Sequence, residues 1–209
     1  MIALWLPAFV FGVWTSWQLV ALYGAYLMFL LGAVWNAIAT GQLAQKTETK
    51  AVQKELGIST TLATAGLWLT HPLAIWDFAK QKSLAAFVPE TASMWLALAL
   101  LTTAILLIHH STRTLGKFFD RLTLKDDHVL ITKGAYSVIR HPIYLSYLLL
   151  FSGFCLLMQS LLALISSMIL GGVVFGAHIR IEERMLEERF GSAYREYQAK
   201  TKKLIPFIY

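Results

Sequence analysis

Charge is what this chain has least of. Residues 1–45 contain no Asp, Glu, Lys or Arg, and neither do the 39 residues from 141 to 179. Charged side chains make up 14% of the 209 residues and hydrophobic ones 57%, whereas a soluble domain is about a quarter charged. That balance excludes an ordinary water-soluble globule. With a mean hydropathy of +0.59, it points to an integral membrane protein. Cysteine is nearly absent as well: Cys155 stands alone in an apolar run, so no intrachain disulfide can form and the residue reads as packing. There is no Pro/Gly/Ser linker and no repeat. No GxxxxGK(S/T), strand-borne GxGxxG, HExxH or GxSxG occurs. P-loop phosphotransfer, nucleotide redox on a Rossmann fold, zinc proteolysis and the common hydrolases therefore lose their usual support. No basic n-region or small-residue cleavage site opens the chain, so a removable signal peptide is not expected.

The charge that is present lies mostly in two blocks, and the net formal charge is +6. Arg113, Lys117, Arg121, Lys125, Lys133 and Arg140 crowd one connection. Arg184, Arg189, Arg195, Lys200, Lys202 and Lys203 crowd the tail. Lys/Arg excess in short segments beside spans marks the cytoplasmic side, and both blocks flank the same uncharged run, so they are expected to face the cytoplasm together. Attraction to anionic head groups accounts for them more simply than nucleic-acid binding does.

In chain order, residues 2–40 exceed one crossing at about 1.5 Å per residue. Either a short in-plane helix precedes a span at 17–40, or a hairpin turns near 15–18. A polar connection (42–55) leads to a span at 57–79, interrupted by His71-Pro72. Proline there removes a hydrogen bond, and His71 reads as a satisfied polar residue beside it. A loop at 80–90 precedes a span at 91–110 ending in His109-His110. Adjacent helix residues point about 100° apart, so this pair is interfacial rather than metal-binding, and no metal is expected. Leu115-Gly116 predicts a helix end with a left-handed cap, and Lys133-Gly134 a turn. Pro142 suits a first helical position. Gln159-Ser160 is the natural apex of the uncharged run, leaving two arms of about 17–20 residues, each enough for one pass. Gly172 and Gly176 have the spacing of a close helix approach. A helix continues to about 190 and stops at Gly191. Ser192 then caps a short helix bearing Tyr194 and Tyr197, which Pro206 ends. The expected fold is an all-α integral membrane protein of about five transmembrane helices, with a C-terminal hairpin and a small cytosolic cap. It divides into N-terminal helices (1–110) and a core (111–209).

The chemistry-bearing residues flank the hairpin. Tyr136, Arg140, His141 and Tyr144 put more directional polar groups at the start of its first arm than anchoring needs. A helix N-terminus favours an anion, and Arg140 can clamp a carboxylate with two bonds. Glu182 falls about one turn beyond the end of the second arm, facing that cationic segment if the hairpin returns. Glu187-Glu188 reads as a solvated face. An anion clamp opposite a carboxylate suits a zwitterionic ligand such as an amino acid, in a cytosol-facing pocket open toward lipid.

Leu115-Gly116, the run from His128 through Gly134 to Tyr136, Arg140-His-Pro-Ile-Tyr144, Glu182-Glu183, Phe190-Gly191, Tyr194 and Pro206 together resemble the isoprenylcysteine carboxyl methyltransferase family. That family is related to phospholipid N-methyltransferases and small-thiol methyltransferases. The resemblance covers about residues 111–209. It implies an S-adenosylmethionine site in which His128, Val129, Leu130 and Ile131 line the adenosine and Tyr136 also contacts the cofactor. Arg140 belongs to the same set, His141, Pro142, Ile143 and Tyr144 hold the methionine end, and Glu182 binds from across the hairpin. His178 stands where family members commonly carry an arginine beside the substrate; with Arg180 and Glu183 it forms the candidate catalytic set. The implied acceptor is lipid-like or prenylated, the other partners are membrane lipids, and nucleic acid is not expected. A phospholipid or small-thiol acceptor, a non-catalytic lipid-binding protein and an NADPH-dependent membrane reductase are the competing readings.

Overall fold

The computed structural model describes residues 2–39, 49–116 and 129–205. Among them lie seven α-helices, and the only β-type pairing is an isolated parallel bridge between Ile139 and Lys202. The all-α expectation holds.

Helices α1 (Ile2–Val10) and α2 (Trp17–Ala39) are joined by a turn in which Gly12 takes φ +71°. Of the two expectations for this region, the short helix followed by one long helix is formed. Leu4 and Ala8 of α1 are buried with Leu19 and Leu22 of α2 and with Ala74 and Ile75 of α3. Helix α3 (Thr49–Lys80) runs unbroken through Pro72. Proline leaves the carbonyl four residues back without its donor, and His71 supplies one: its Nδ1 donates to the Trp68 carbonyl (3.3 Å), while Nε2 accepts from the Tyr26 hydroxyl (2.8 Å). His71 is a satisfied core residue.

Helix α4 (Glu90–Leu115) continues past His109-His110 and stops at Gly116. That glycine has φ 54° and ψ −126°, a positive-φ ending that favours glycine, though not the left-handed helical cap expected. Helix α5 (Pro142–Leu157) begins with its proline in the first turn, as the sequence suggests. It lies tightly on α4. A Cβ on Gly153 would sit 2.8 Å from Leu101 Cγ and 3.1 Å from the Ala97 carbonyl.

The hairpin turns at Gln159 (φ 52°) and Ser160, whose Oγ accepts from the Ala163 amide (3.2 Å). A buried carboxylate ties this apex to the α3–α4 connection. Asp77 accepts from the Ser160 hydroxyl (2.7 Å), the Ser83 hydroxyl (2.5 Å) and the Ser83 amide (3.1 Å). Helix α6 (Leu161–Phe190) has 30 residues and so spans about 45 Å. That exceeds a hydrocarbon core of roughly 30 Å, so a crossing by α6 leaves room for the turns that carry Glu182 and Glu183 outside it.

Two local expectations are corrected. Gly172 and Gly176 have no neighbour within 4 Å of an added Cβ, whereas Gly171 faces Leu148 at 3.0 Å. The packing face of α6 is therefore turned by one residue, about 100°, because its contacts with α3 and α5 set the rotation. Gly191 ends α6 and is itself the N-cap of α7 (Ser192–Lys200). Ser192 is thus the first helical residue, and no side-chain cap forms. Among the described residues, α4 and α6 are each long and apolar enough to cross a membrane, and Trp17–Gly32 and Pro142–Leu157 are shorter apolar helices.

Candidate active site

Because the hairpin returns, the beginning of α5 and the outer turns of α6 lie side by side. His141, 3% exposed, stands at the N-cap of α5 between the two carboxylates. Its Nδ1 is 3.5 Å from Glu182 Oε2 and its Nε2 is 3.2 Å from Glu183 Oε1. The ring can donate to both carboxylates only as the imidazolium. Burial works against that charge, but the hydrogen bonds and charges of Glu182 and Glu183 outweigh it, so the His141 pKa is raised above 6.5.

Glu183 is the more enclosed of the pair. Its Oε1 also accepts from Arg140 Nε (2.8 Å), and its Oε2 pairs with Lys203 Nζ (3.2 Å). Burial alone would raise its pKa; the bonds from His141 and Arg140 instead pull it from 4.5 to about 2. Glu182 is different: its side chain is 36% exposed, so carboxylate surface is left for a ligand.

Arg140, expected as a clamp for a bound carboxylate, has much of its guanidinium engaged within the chain. Nη1 donates to the carbonyls of Thr201 (2.7 Å) and Gln198 (3.2 Å). The tail after α7 lies parallel to residues 138–141 through three backbone bonds. Lys202 N donates to Val138 O (3.0 Å), Arg140 N to Lys202 O (2.8 Å) and His141 N to Lys203 O (3.1 Å). Nothing in the sequence marked this strap, because extended pairing of two short irregular segments has no periodic signature.

Tyrosines close the cluster. Tyr197 donates its hydroxyl to the Tyr136 carbonyl (2.7 Å). The Tyr136 and Tyr194 hydroxyls are buried without a hydrogen-bond partner among the described residues. Burial, with the Glu182 carboxylate adding to it, raises the Tyr136 pKa well above the ordinary tyrosine value. Burial and the nearby Glu183 raise that of Tyr194.

Across the hairpin, the Tyr144 ring lies 5.8 Å from that of His141, 5.6 Å from Phe175 and 6.2 Å from His178. His178 Nδ1 donates to the Val174 carbonyl (2.8 Å), which fixes its ring on the face that looks at Tyr144. Arg180 is exposed. Pro142 is buried and Ile143 half-buried in the first turn of α5. Val129 is exposed and Leu130 and Ile131 half-buried. They lead into Gly134 (φ +62°), which nests on the end of α4 near His110 and Thr114. His128 lies outside the described residues. A separate groove of about 430 Å³ runs between α2 and α4 past Leu31, Trp35, His109 and Arg113; it includes none of the residues around His141. No cluster of three His, Cys, Asp or Glu suited to a metal occurs among the described residues.

The family model described as phospholipid methyltransferase matches residues 92–193, which include the helical hairpin. Curated proteins similar to this chain include isoprenylcysteine enzymes. The protein-S-isoprenylcysteine O-methyltransferase of Saccharomyces cerevisiae is 39% identical over 84 residues, covering 40% of this chain and 35% of that one. The probable enzyme of Oryza sativa subsp. indica is 33% identical over 98 residues (46% and 51%), and that of Tribolium castaneum 34% over 98 (46% and 35%). The resemblance first read from the motifs is borne out. The matches span between about a third and a half of those relatives' lengths. A solved eukaryotic intramembrane Ras methyltransferase, an isoprenylcysteine carboxyl methyltransferase, has a TM-score of 0.59 over 99% of this chain and 73% of its own, at 22% identity. The fold is shared.

Proposed function

We propose that this chain is an integral membrane methyltransferase that takes its methyl group from S-adenosylmethionine and delivers it to a lipid-like acceptor, of the isoprenylcysteine carboxyl type, at the cytosolic face. The observation that carries the reading is His141 held between Glu182 and Glu183 at one end of the hairpin, beside two buried hydroxyls without partners among the described residues. A buried polar group costs free energy unless something hydrogen-bonds it, so Tyr136 and Tyr194 favour a polar ligand. Those residues fit the amino-acid end of the cofactor: Glu182, oriented by His141, accepts from its ammonium group, and the tyrosine hydroxyls donate to its carboxylate. When bound, the cofactor supplies a sulfonium methyl already activated by positive charge. The chain's contribution is then orientation and exclusion of water. Tyr144, Phe175 and His178 form the wall through which an acceptor enters from lipid. A carboxylate acceptor needs no base, which agrees with a site offering no obvious one.

Five crossings by α2 to α6 place the basic connection and the basic tail on one side, and Lys/Arg bias makes that side cytosolic. The exposed Leu27, Leu106, Leu162 and Ile169 suit lipid contact. Residues 1–110 then form a lipid-facing helical part and 111–209 the core, with α4 shared between them. The name of the matching family favours a second acceptor, an amino-phospholipid.

Calorimetry with S-adenosylhomocysteine on purified protein tests the cofactor; no binding at millimolar ligand refutes the reading. A labelled-methyl assay offering farnesylcysteine, phosphatidylethanolamine and an alkyl thiol in parallel ranks the acceptors. Farnesylcysteine is the expected winner, and a preference for phosphatidylethanolamine would move the chain to the second acceptor.

A further inference from the structure

Two adjacent glutamates meet one histidine, yet their surroundings differ. Glu182 keeps an exposed face, whereas Glu183 is surrounded by Arg140, His141 and Lys203 at 2.8, 3.2 and 3.2 Å. Three cationic donors on two oxygens leave a carboxylate little capacity for a ligand. Each of the three also belongs to the region where the tail crosses the start of α5. Arg140 binds the Thr201 and Gln198 carbonyls, the His141 amide binds the Lys203 carbonyl, and Lys203 is itself part of the tail.

We propose that Glu183 is a positioning residue and that its pairing with Lys203 latches the C-terminal strap, residues 201–205, across the start of α5. The latch sets the angle of His141 and the residence time of the ligand that Glu182 holds. This rests on the methyltransferase reading for the ligand's identity, but the latch itself is a property of the chain. Glu183 gathers the strap and the histidine into one unit, because its Oε1 holds the imidazole while its Oε2 holds the strap's lysine. Releasing Lys203 frees one oxygen of Glu183 and removes a side-chain tie between strap and helix end. The strap is then held by its three backbone bonds and by the Arg140 bond to the Thr201 carbonyl, and a ladder this short opens more readily once a side-chain tie is lost. The charged and titratable groups facing Glu183 are Arg140, His141, Lys203, Glu182, Tyr194 and Tyr197. The guanidinium and ammonium groups among them keep it ionised, so the latch stays closed at neutral pH.

The test uses the full chain in detergent, with Lys203→Met, Lys203→Arg and Glu183→Gln. Two quantities are read: the dissociation rate of S-adenosylhomocysteine, and hydrogen exchange at the Arg140 and Lys202 amides. Losing one charge-assisted bond in Lys203→Met should speed dissociation about tenfold and speed exchange at both amides. Lys203→Arg, which restores the charge, should return both to within about threefold of the parent. A merely structural lysine would change thermal stability without this paired response and without rescue by arginine. Glu183→Gln should keep measurable binding while releasing the strap. Complete loss of binding in Glu183→Gln, with the strap amides still protected, would make Glu183 a ligand contact and overturn the proposal. Unchanged exchange in Lys203→Met would overturn it too. Should the parent bind no S-adenosylhomocysteine, the methyltransferase reading fails on its own, and the exchange arm still decides the latch.

Discussion

Replacing Arg140 by methionine keeps most of its volume and deletes the guanidinium, so the loss is polar rather than steric. Two quantities set its size. The fall of the Glu183 pKa from 4.5 to about 2 corresponds to roughly 3 kcal/mol of favourable interaction with its partners. His141 and Arg140 are the main contributors, so about half belongs to the guanidinium, trimmed to about 1 kcal/mol because water reaches part of the carboxylate. The Thr201 and Gln198 carbonyls also lose their donor; each such loss costs about 1 kcal/mol when the group is shielded. Together these predict a destabilisation of about 3 kcal/mol. For a chain of this size that is a fall in melting temperature of roughly 6–12 °C. Thermal denaturation in detergent measures the total, and amide exchange localises it to residues 197–205. A melting temperature within about 1 °C of the parent, or faster exchange spread evenly over α4 and α6, would refute the view of Arg140 as the hub of this network.

The pH dependence follows from the same ions. His141 has a raised pKa, so its contribution is complete below 6.5 and is lost as pH rises through its folded value. Glu183 has a lowered one, so its contribution is complete above 4.5 and is lost as pH falls toward about 2. Melting temperature should therefore be highest between about pH 4.5 and 6.5 and fall on the alkaline side. His141→Asn should abolish that alkaline fall, and an unaltered slope in the variant would count against the assignment. Glycines provide a contrast in packing. Gly153→Val, forced against Leu101 and the Ala97 carbonyl, should cost about 3 kcal/mol, whereas Gly172→Ala should be neutral or stabilise by under about 1 kcal/mol. Equal effects in denaturation would show that the α4–α5 contact is looser than described.

Much of the fold was legible where a single residue dictates local geometry. Pro142 starts α5 because its fixed φ suits a first turn, and Gly191 ends α6 at φ 53°. Gln159-Ser160 turns the hairpin at the centre of the uncharged run. The pairing of His141 with Glu182 was legible too, because a returning helix brings its flanks together. Which partner each group chooses was not. Nothing local tells that Arg140 turns back to the Thr201 and Gln198 carbonyls, or that Glu183 rather than Glu182 is enclosed. Likewise, the face on which α6 packs depends on its rotation against α3 and α5, so the spacing of Gly172 and Gly176 misled while Gly171 makes the contact. Asp77, a lone acid at the end of α3, gave no sign of its role: its partners Ser83 and Ser160 lie 6 and 83 residues away.

That carboxylate has a mechanical consequence. Serine hydroxyls from two separate connections converge on it, so the end of the bundle remote from His141 is fastened by short uncharged donors on a carboxylate buried from water. Salt, which loosens the ion cluster at the other extreme, has little purchase on bonds this enclosed. Breathing that admits a ligand is therefore expected at the His141 end of α6 rather than at the end that Asp77 fastens.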